Sequence, residues 1–485
     1  MKVTILLISF LTACVSAYAQ EADDKSYIKV ELSEPGTLAE ALGERANTID
    51  SLVVEGPIND VDFYTMWSAT FYGKLSAINL EKAQAEGNRV PPRAFYRSEQ
   101  FDPDNKLTLY MTNLRNIILG EGIEEIGESA FTYSGRLQEV TLPSTLRRMG
   151  RVCFADCPKL RTSPLVIPEG LEEIPFRCFM NCESLSEVVL PSTIKSIDEA
   201  AFLSTGVTKI NFPEGLEMIG EMAFYGADLG EAILPESCTR LEGEDQFAFN
   251  RNLKKLLLPD GLTAVPSGIA LECEKLLEVN IPSKALTIGN RAFYMCPLSG
   301  VLTLPEGLTD IGDRAFYLSY GLTEVSFPST LLTLGEESCS GWSGLKKMYC
   351  RGTIPAECKM RGLTGPFGNP DTSVNGGVLP NIPVYIPVGA IERYRKAEGW
   401  NIFFNYIESE ELTALETVTD GADATVTCNG GKIIINAKAG DIYTIHSIDG
   451  RIIASGTVND AECGVAVGTG YYIVSVAGKA VKIKM

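Results

Sequence analysis

The stretch LSEVVLPSTIKSIDEAAF, residues 185–202, decides the fold once it is set against VTKINFPEGLEMIGEMAF (207–224) and LTEVSFPSTLLTLGEES (322–338). All three follow one template, L-x-x-V-x-L-P-x-x-L-x-x-I-G-x-x-A-F-x-x-C. The prolines that mark it are Pro143, Pro168, Pro191, Pro213, Pro235, Pro259, Pro282, Pro305 and Pro328, spaced by 22 to 25 residues. A period in the twenties with leucines at strand spacing is the mark of a solenoid. Within one unit, Leu185, Val188 and Leu190 face inward on a short strand, and Pro191, which lacks a ladder donor, ends it. The chain turns at Ser192-Thr193, re-enters the interior at Ile194 and Ile197, and closes with small Ala201 beside bulky Phe202. One such coil has open sheet edges and an open core on both sides, so it requires neighbours and terminal caps.

Composition narrows the function before any site is considered. The chain has 485 residues, 42 Lys plus Arg against 62 Asp plus Glu, a net charge of −20 and one histidine. An acidic chain without a basic stripe excludes nucleic acid as a partner. A single histidine excludes multi-histidine zinc sites, and it leaves His446 as the sole imidazole for any Ser-His-Asp or Cys-His arrangement. His446 sits in the strand-like run DIYTIHSIDG with no cysteine nearby and reads as structural.

The repeat, with L-P after the strand and A-F-x-x-C before the next leucine, resembles the BspA-like leucine-rich repeats of bacterial surface proteins. LVVEGPINDVDF (52–63) and LSAINLEKA (75–83) resemble that family's N-terminal cap, and VYIPVGAIERYRKAEGW (384–400) its closing strand and helix. The expected fold is a leucine-rich-repeat solenoid of short stacked parallel strands with turns and short helical segments, followed by a small antiparallel β-sandwich. The coil at 229–252 is irregular at Gly243-Glu244-Asp245-Gln246, and the coil at 253–275 has Ala270-Leu271 in place of Ala-Phe.

The first residues carry an address. Met1-Lys2, an apolar run to Val15 and the A-x-A site Ala17-Tyr18-Ala19 make residues 1–19 a secretory signal peptide. Leu11-Thr12-Ala13-Cys14 also resembles a lipobox, which would lipidate Cys14 instead. The expected organisation continues with an N-terminal cap and first repeats at 20–113, the solenoid at 114–350, a C-terminal cap at 351–409, a linker at 410–425 and a β-sandwich at 426–485. That last module has short β runs between Gly or Asp-Gly turns. Its pattern IHSIDGRII, GTGYYIVSV and a basic end in Lys479, Lys482 and Lys484 resembles the C-terminal sorting domain of the type IX secretion system of Bacteroidetes. The resemblance implies outer-membrane translocation, with removal of the module and surface attachment as one outcome; the module is short for that role, and a plain β-sandwich retained for stability or docking is the alternative.

Of the thirteen cysteines, the twelve beyond the signal peptide would in an exported chain first suggest disulfides. Cys153, Cys157, Cys178 and Cys182 also have the look of four zinc thiolates. Each nonetheless falls on a template position, as do Cys273 and Cys296, so a ladder of small buried residues is favoured over inter-coil disulfides or metal. Asp102-Pro103-Asp104-Asn105 lacks EF-hand spacing and reads as a polar turn. The Gly/Pro loop 361–380 shows no legible chemistry.

The informative feature is a face. With letters one, four and six of the strand inward, letter five points out and reads Ile118, Thr141, Val166, Val189, Asn211, Ile233, Leu257, Asn280, Thr303, Ser326, Tyr349 down the stack, with no charge. The adjacent outward column, from Asn116 and Glu139 to Glu324 and Lys347, is mixed and Glu-rich. A neutral band rimmed by charge suits capture of an extracellular protein or glycan; β-branched residues also favour strands for their own sake. The expected ligand-binding face is Val166, Val189, Asn211, Ile233, Leu257, Asn280, Thr303 and Tyr349. No catalytic residue, metal or cofactor is expected, and the family resemblance implies an adhesin; a structural envelope scaffold without a specific ligand is the alternative.

Overall fold

The computed structural model describes residues 26–97, 112–368, 378, 380–413, 425–429, 432–447, 451–458, 462–467, 471–476 and 479–484. The signal-peptide and lipobox readings, the Asp102–Asn105 turn, and much of the 361–380 loop and the linker lie outside these residues. The chain divides into two compact units: Met1–Leu171 with Asn181–Leu185, and Glu172–Met180 with Ser186–Met485.

The first unit carries a parallel five-stranded sheet in the order Tyr27–Glu31, Ser51–Ile58, Ala77–Ala85, Asn116–Ile118, Glu139–Thr141. A helix, Asp60–Phe71, covers its beginning. Asn59 and Asp62 form a capping box at the helix start, and the fully buried Asp62 carboxylate also accepts from the Gly36 N–H at 2.6 Å and the Leu38 N–H at 2.9 Å. One carboxylate therefore joins the first loop to the cap helix. Phe95, Phe131 and Phe154 stack with centroids 5.2 and 5.0 Å apart.

In the second unit three backbone ladders run from coil to coil. The first contains the strands of the L-x-x-V-x-L segment, which form parallel pairs such as Ile233 with Leu257. The second is built of two-residue strands, for example Ser196–Ile197 between Glu173–Ile174 and Met218–Ile219. The third joins the Ala-Phe turns: the Phe202 N–H donates to the Ala223 carbonyl at 2.8 Å and the Phe224 N–H to the Gln246 carbonyl at 2.9 Å. Each ladder satisfies backbone groups that would otherwise be buried unpaired.

The template letters now have physical reasons. The isoleucine-glycine step lets adjacent backbones approach, since a Cβ on Gly335 would stand 2.4 Å from the Asp313 nitrogen. Phenylalanine fills the centre, with Phe179, Phe202, Phe224 and Phe247 stacked at 5.3 to 5.4 Å. Among the described residues the repeats connect by turns, and the α-helices stand in the flanking segments, at Leu38–Leu42, Asp60–Phe71, Ile391–Lys396 and Glu410–Thr413.

The cysteine of the template is a buried donor. In the second unit the Cys273 thiol donates to the Phe247 carbonyl at 3.2 Å and Cys296 to Ala270 at 2.9 Å. In the first unit Cys157 donates to Phe131 and Cys182 to Phe154, each at 3.2 Å. Two replacements keep the bond, Asn250 Nδ2 donating to the Phe224 carbonyl at 2.7 Å and Trp342 Nε1 to Phe316 at 2.9 Å, whereas Thr205 donates to Phe202 of its own coil and Ala227 has no donor.

The stack ends on Val384–Pro387 and Tyr406–Ser409, which continue the parallel sheet. Buried Tyr394 and Trp400 close the core there and donate to the Gly352 and Ala356 carbonyls, both at 2.8 Å. The C-terminal module is antiparallel throughout. One sheet has Lys432–Asn436 between Thr425–Asn429 and Glu462–Ala466, and the other runs Ile452–Thr457, Ile442–Ser447, Tyr471–Val476, Lys479–Lys484. Ile433 and Ile435 of the first sheet pack with Ile445, Tyr472, Val474 and Val476 of the second, which makes a small β-sandwich.

Candidate functional site

The outward strand column of the second unit falls into three separate sheets. Val189 belongs to the first and Ile233 and Leu257 to the second, with Asn211 and Asn280 each just beyond the last strand, Lys209–Ile210 and Glu278–Val279. In the third, Thr303, Ser326 and Tyr349 are in register. Ile233 is 50 % and Val189 37 % exposed, Thr303 is exposed, and Leu257 and Tyr349 are half-buried. Val166, in the first unit, is 54 % exposed.

Asn211 and Asn280 are already occupied within the fold. The Asn211 carboxamide accepts from the Leu190 N–H at 2.7 Å and donates to the Leu190 carbonyl at 2.9 Å. Asn280 does the same to Leu258, at 2.7 Å for both bonds. In regular coils a backbone carbonyl takes this place, as where Leu234 N–H donates to Leu257 at 3.0 Å. The two asparagines therefore stand in for a strand at the ends of two sheets, with one N–H and one acceptor lone pair of each amide committed to the fold.

Two outward residues escaped the sequence reading. The cap strands join in register, so that Tyr349 pairs with Tyr385 and Tyr385 with Ile407. The tyrosine rings stack at 4.9 Å, and Ile407 is 37 % exposed. The alternation in Val384-Tyr385-Ile386 was the available signal, but about one and a half periods of chain separate Tyr349 from Tyr385. Beside them, Lys347 Nζ donates to Tyr349 Oη at 3.1 Å and pairs with Glu324 at 2.8 Å. Glu324 first, then Tyr349, hold the Lys347 ammonium above the ordinary lysine range.

The neighbouring charged column pairs with itself, Lys209 with Glu187 and Lys255 with Glu278, each at 2.7 Å. Exposed pairs of this kind add little stability. They line a Glu-rich edge beside the neutral column, whose apolar members include Val166, Val189, Ile233, Leu257, Tyr349, Tyr385 and Ile407.

The sharper chemical readings find no support in the geometry. Cys153, Cys157, Cys178 and Cys182 are fully buried. Burial pushes the Cys157 and Cys182 thiols well up, so they stay protonated and inert as ligands or nucleophiles. Among the described residues no group of three or more His, Cys, Asp or Glu is arranged to hold a metal ion. His446 is half-buried in its strand, in register with Ile452 and Ile473. Among the described residues no helix is long and apolar enough to cross a membrane.

The profile of the family described as BspA type leucine rich repeat region matches six copies, over residues 105–229, 172–299 and 241–356, which together span more than half of the chain. Among solved structures, a leucine-rich repeat protein from Bacteroides ovatus is 21 % identical, with 58 % of this chain and 80 % of that one covered and a TM-score of 0.40. A leucine rich cell surface protein from Faecalibacterium prausnitzii is 21 % identical, with 58 % and 84 % covered and a TM-score of 0.33. The pneumococcal vaccine antigen PcpA is 18 % identical, with 75 % and 80 % covered and a TM-score of 0.40. No curated protein sequence matches the chain.

Proposed function

The chain belongs to the BspA type leucine-rich-repeat family, and on that footing we propose that it is an exported surface protein that captures an extracellular protein or glycan on its strand face. The observation that carries this reading is the outward column itself, in which Ile233 with Leu257, and Tyr349 with Tyr385 and Ile407, stand in register beside a charged, Glu-rich column. Apolar and aromatic groups on a rigid backbone, rimmed by charge, are the composition of a recognition surface. Val166, Val189 and Thr303 extend it. Asn211 and Asn280 shape it from within the ladder. The work is adhesion, spread over many weak contacts and without catalysis.

Residues 1–19 direct export in this reading, with Cys14 as the lipidation site if the lipobox is used instead. The sandwich at 426–485 serves as a type IX sorting module of a Bacteroidetes protein, removed or retained when the chain is anchored at the outer-membrane surface. Protease shaving of intact producing cells tests the address: repeat peptides are released if the chain faces outward, whereas release only after the outer membrane is opened removes the adhesin reading. The double variant Ile233→Asp with Leu257→Asp tests the face. Loss of matrix-protein or glycan retention by a variant with an unchanged melting curve is expected; full retention excludes this face.

A further inference from the structure

The two irregular coils build a surface that the strand face does not use. On the ladder of Ala-Phe turns, Tyr225 and Phe249 are both half-buried, with ring centroids 4.9 Å apart and planes tilted by 46°. Phe249 has φ of +59°, a left-handed conformation costly for a bulky residue. Its N–H donates to Leu271 at 2.7 Å, and the next residue, Glu272, donates to Tyr294 at 2.8 Å. The ladder thus places the Glu272 backbone next to that of Phe249, one coil on, with its carboxylate close enough to act on the Tyr225 phenol.

Two glycines make room for two further carboxylates. A Cβ on Gly243 would stand 2.5 Å from Glu221 Oε2, and one on Gly268 would collide with the Asp245 carboxylate. Burial first, then the charges of Glu244 and Glu221, push the Asp245 carboxyl above its usual range, with Arg291 opposing more weakly. Burial, then Asp245 and Glu272, push the Tyr225 phenol up. Nearby Arg240 and Arg251 are engaged by Glu242 and Glu274, at 2.5 and 4.0 Å. Among the described residues, no ion pair neutralises Glu221, Glu244, Asp245 or Glu272. Crowded, partly desolvated carboxylates beside two accessible rings favour an organic cation, since a guanidinium or ammonium can meet the ring faces and the carboxylates together.

We propose that Tyr225, Phe249, Asp245 and Glu272, with Glu221 at the edge, dock a Lys/Arg-rich segment of a partner polypeptide. Charge complementarity selects this occupant: the carboxylates repel acidic chains, and the rings add nothing for a hydrated metal ion. The site is independent of the strand face.

The test uses the full chain and a fluorescent arginine-rich peptide, followed by anisotropy at physiological salt. Asp245→Asn with Glu272→Gln, near-isosteric changes that relieve like-charge crowding, should weaken binding at least about tenfold, and Phe249→Leu several-fold. The control Glu214→Gln with Glu398→Gln removes the same net charge elsewhere and should leave binding unchanged, as should Ile233→Asp with Leu257→Asp. An equal loss in the charge control would show that the net charge of −20 alone attracts the peptide, and would overturn the proposal. Undiminished binding by the Asp245/Glu272 variant would overturn it as well. Melting curves confirm that each variant is folded.

Discussion

Two columns run along the same coils under opposite constraints. The buried column that holds Asn250, Cys273, Cys296 and Trp342 changes residue type and at these four positions supplies a hydrogen to a carbonyl of the preceding coil, whereas Ala227 has no donor to offer and the Thr205 hydroxyl turns to Phe202 of its own coil. The outward strand column faces no such demand at Ile233, Leu257 or Thr303, yet meets one at Asn211 and Asn280, where the backbone ladder stops. Inside the solenoid the position selects for a small or donor-bearing side chain, and on the strand face a missing neighbour strand selects for asparagine.

The contrast can be broken most forcefully at the centre of the core. Phe202→Ala, which leaves a void between Phe179 and Phe224, should cost about 4 kcal/mol in denaturant unfolding. Asn250→Ala strips three bonds, to the Phe224 and Phe247 carbonyls and from the Leu229 N–H, and should cost about 3 kcal/mol. Asn280→Ala should cost about 1 kcal/mol, whereas Ile233→Ala in the same outward column should stay within about 0.5 kcal/mol. Equal losses at Asn280 and Ile233 would erase the distinction between ladder-completing and available positions.

The smallest effect concerns pH. Because the Asp245 carboxyl is raised in the folded chain, the stability of its protonated form is present below the unfolded value and lost as pH rises through the folded one. Asp245→Asn should therefore melt slightly higher than the parent at pH 7, with the advantage vanishing in acid.

Much of this was legible in the letters. The spacing from Pro143 to Pro328 fixed the coil, the alternation in Leu185-x-x-Val188-x-Leu190 fixed which side is buried, and template position alone assigned Cys157 and Cys182 to the interior. These are local properties, because a parallel stack repeats one residue's environment at each period. The carbonyl that each thiol serves was not legible, since that partner lies one coil away. Nor was the engagement of Asn211 and Asn280, which share a column with ordinary outward residues and differ only in where the neighbouring strand ends. Tyr385 and Ile407 enter the face because cap strands pair in register across an insertion that no period describes. Tyr225, Phe249, Asp245 and Glu272 appear only as breaks in the pattern until the turn ladder brings them together. The sequence by itself determined the repeat, the buried side and the neutral outward column. The tertiary structure decided which outward groups are available to a partner, because availability depends on hydrogen bonds and register between coils, and neither is a property of a single coil.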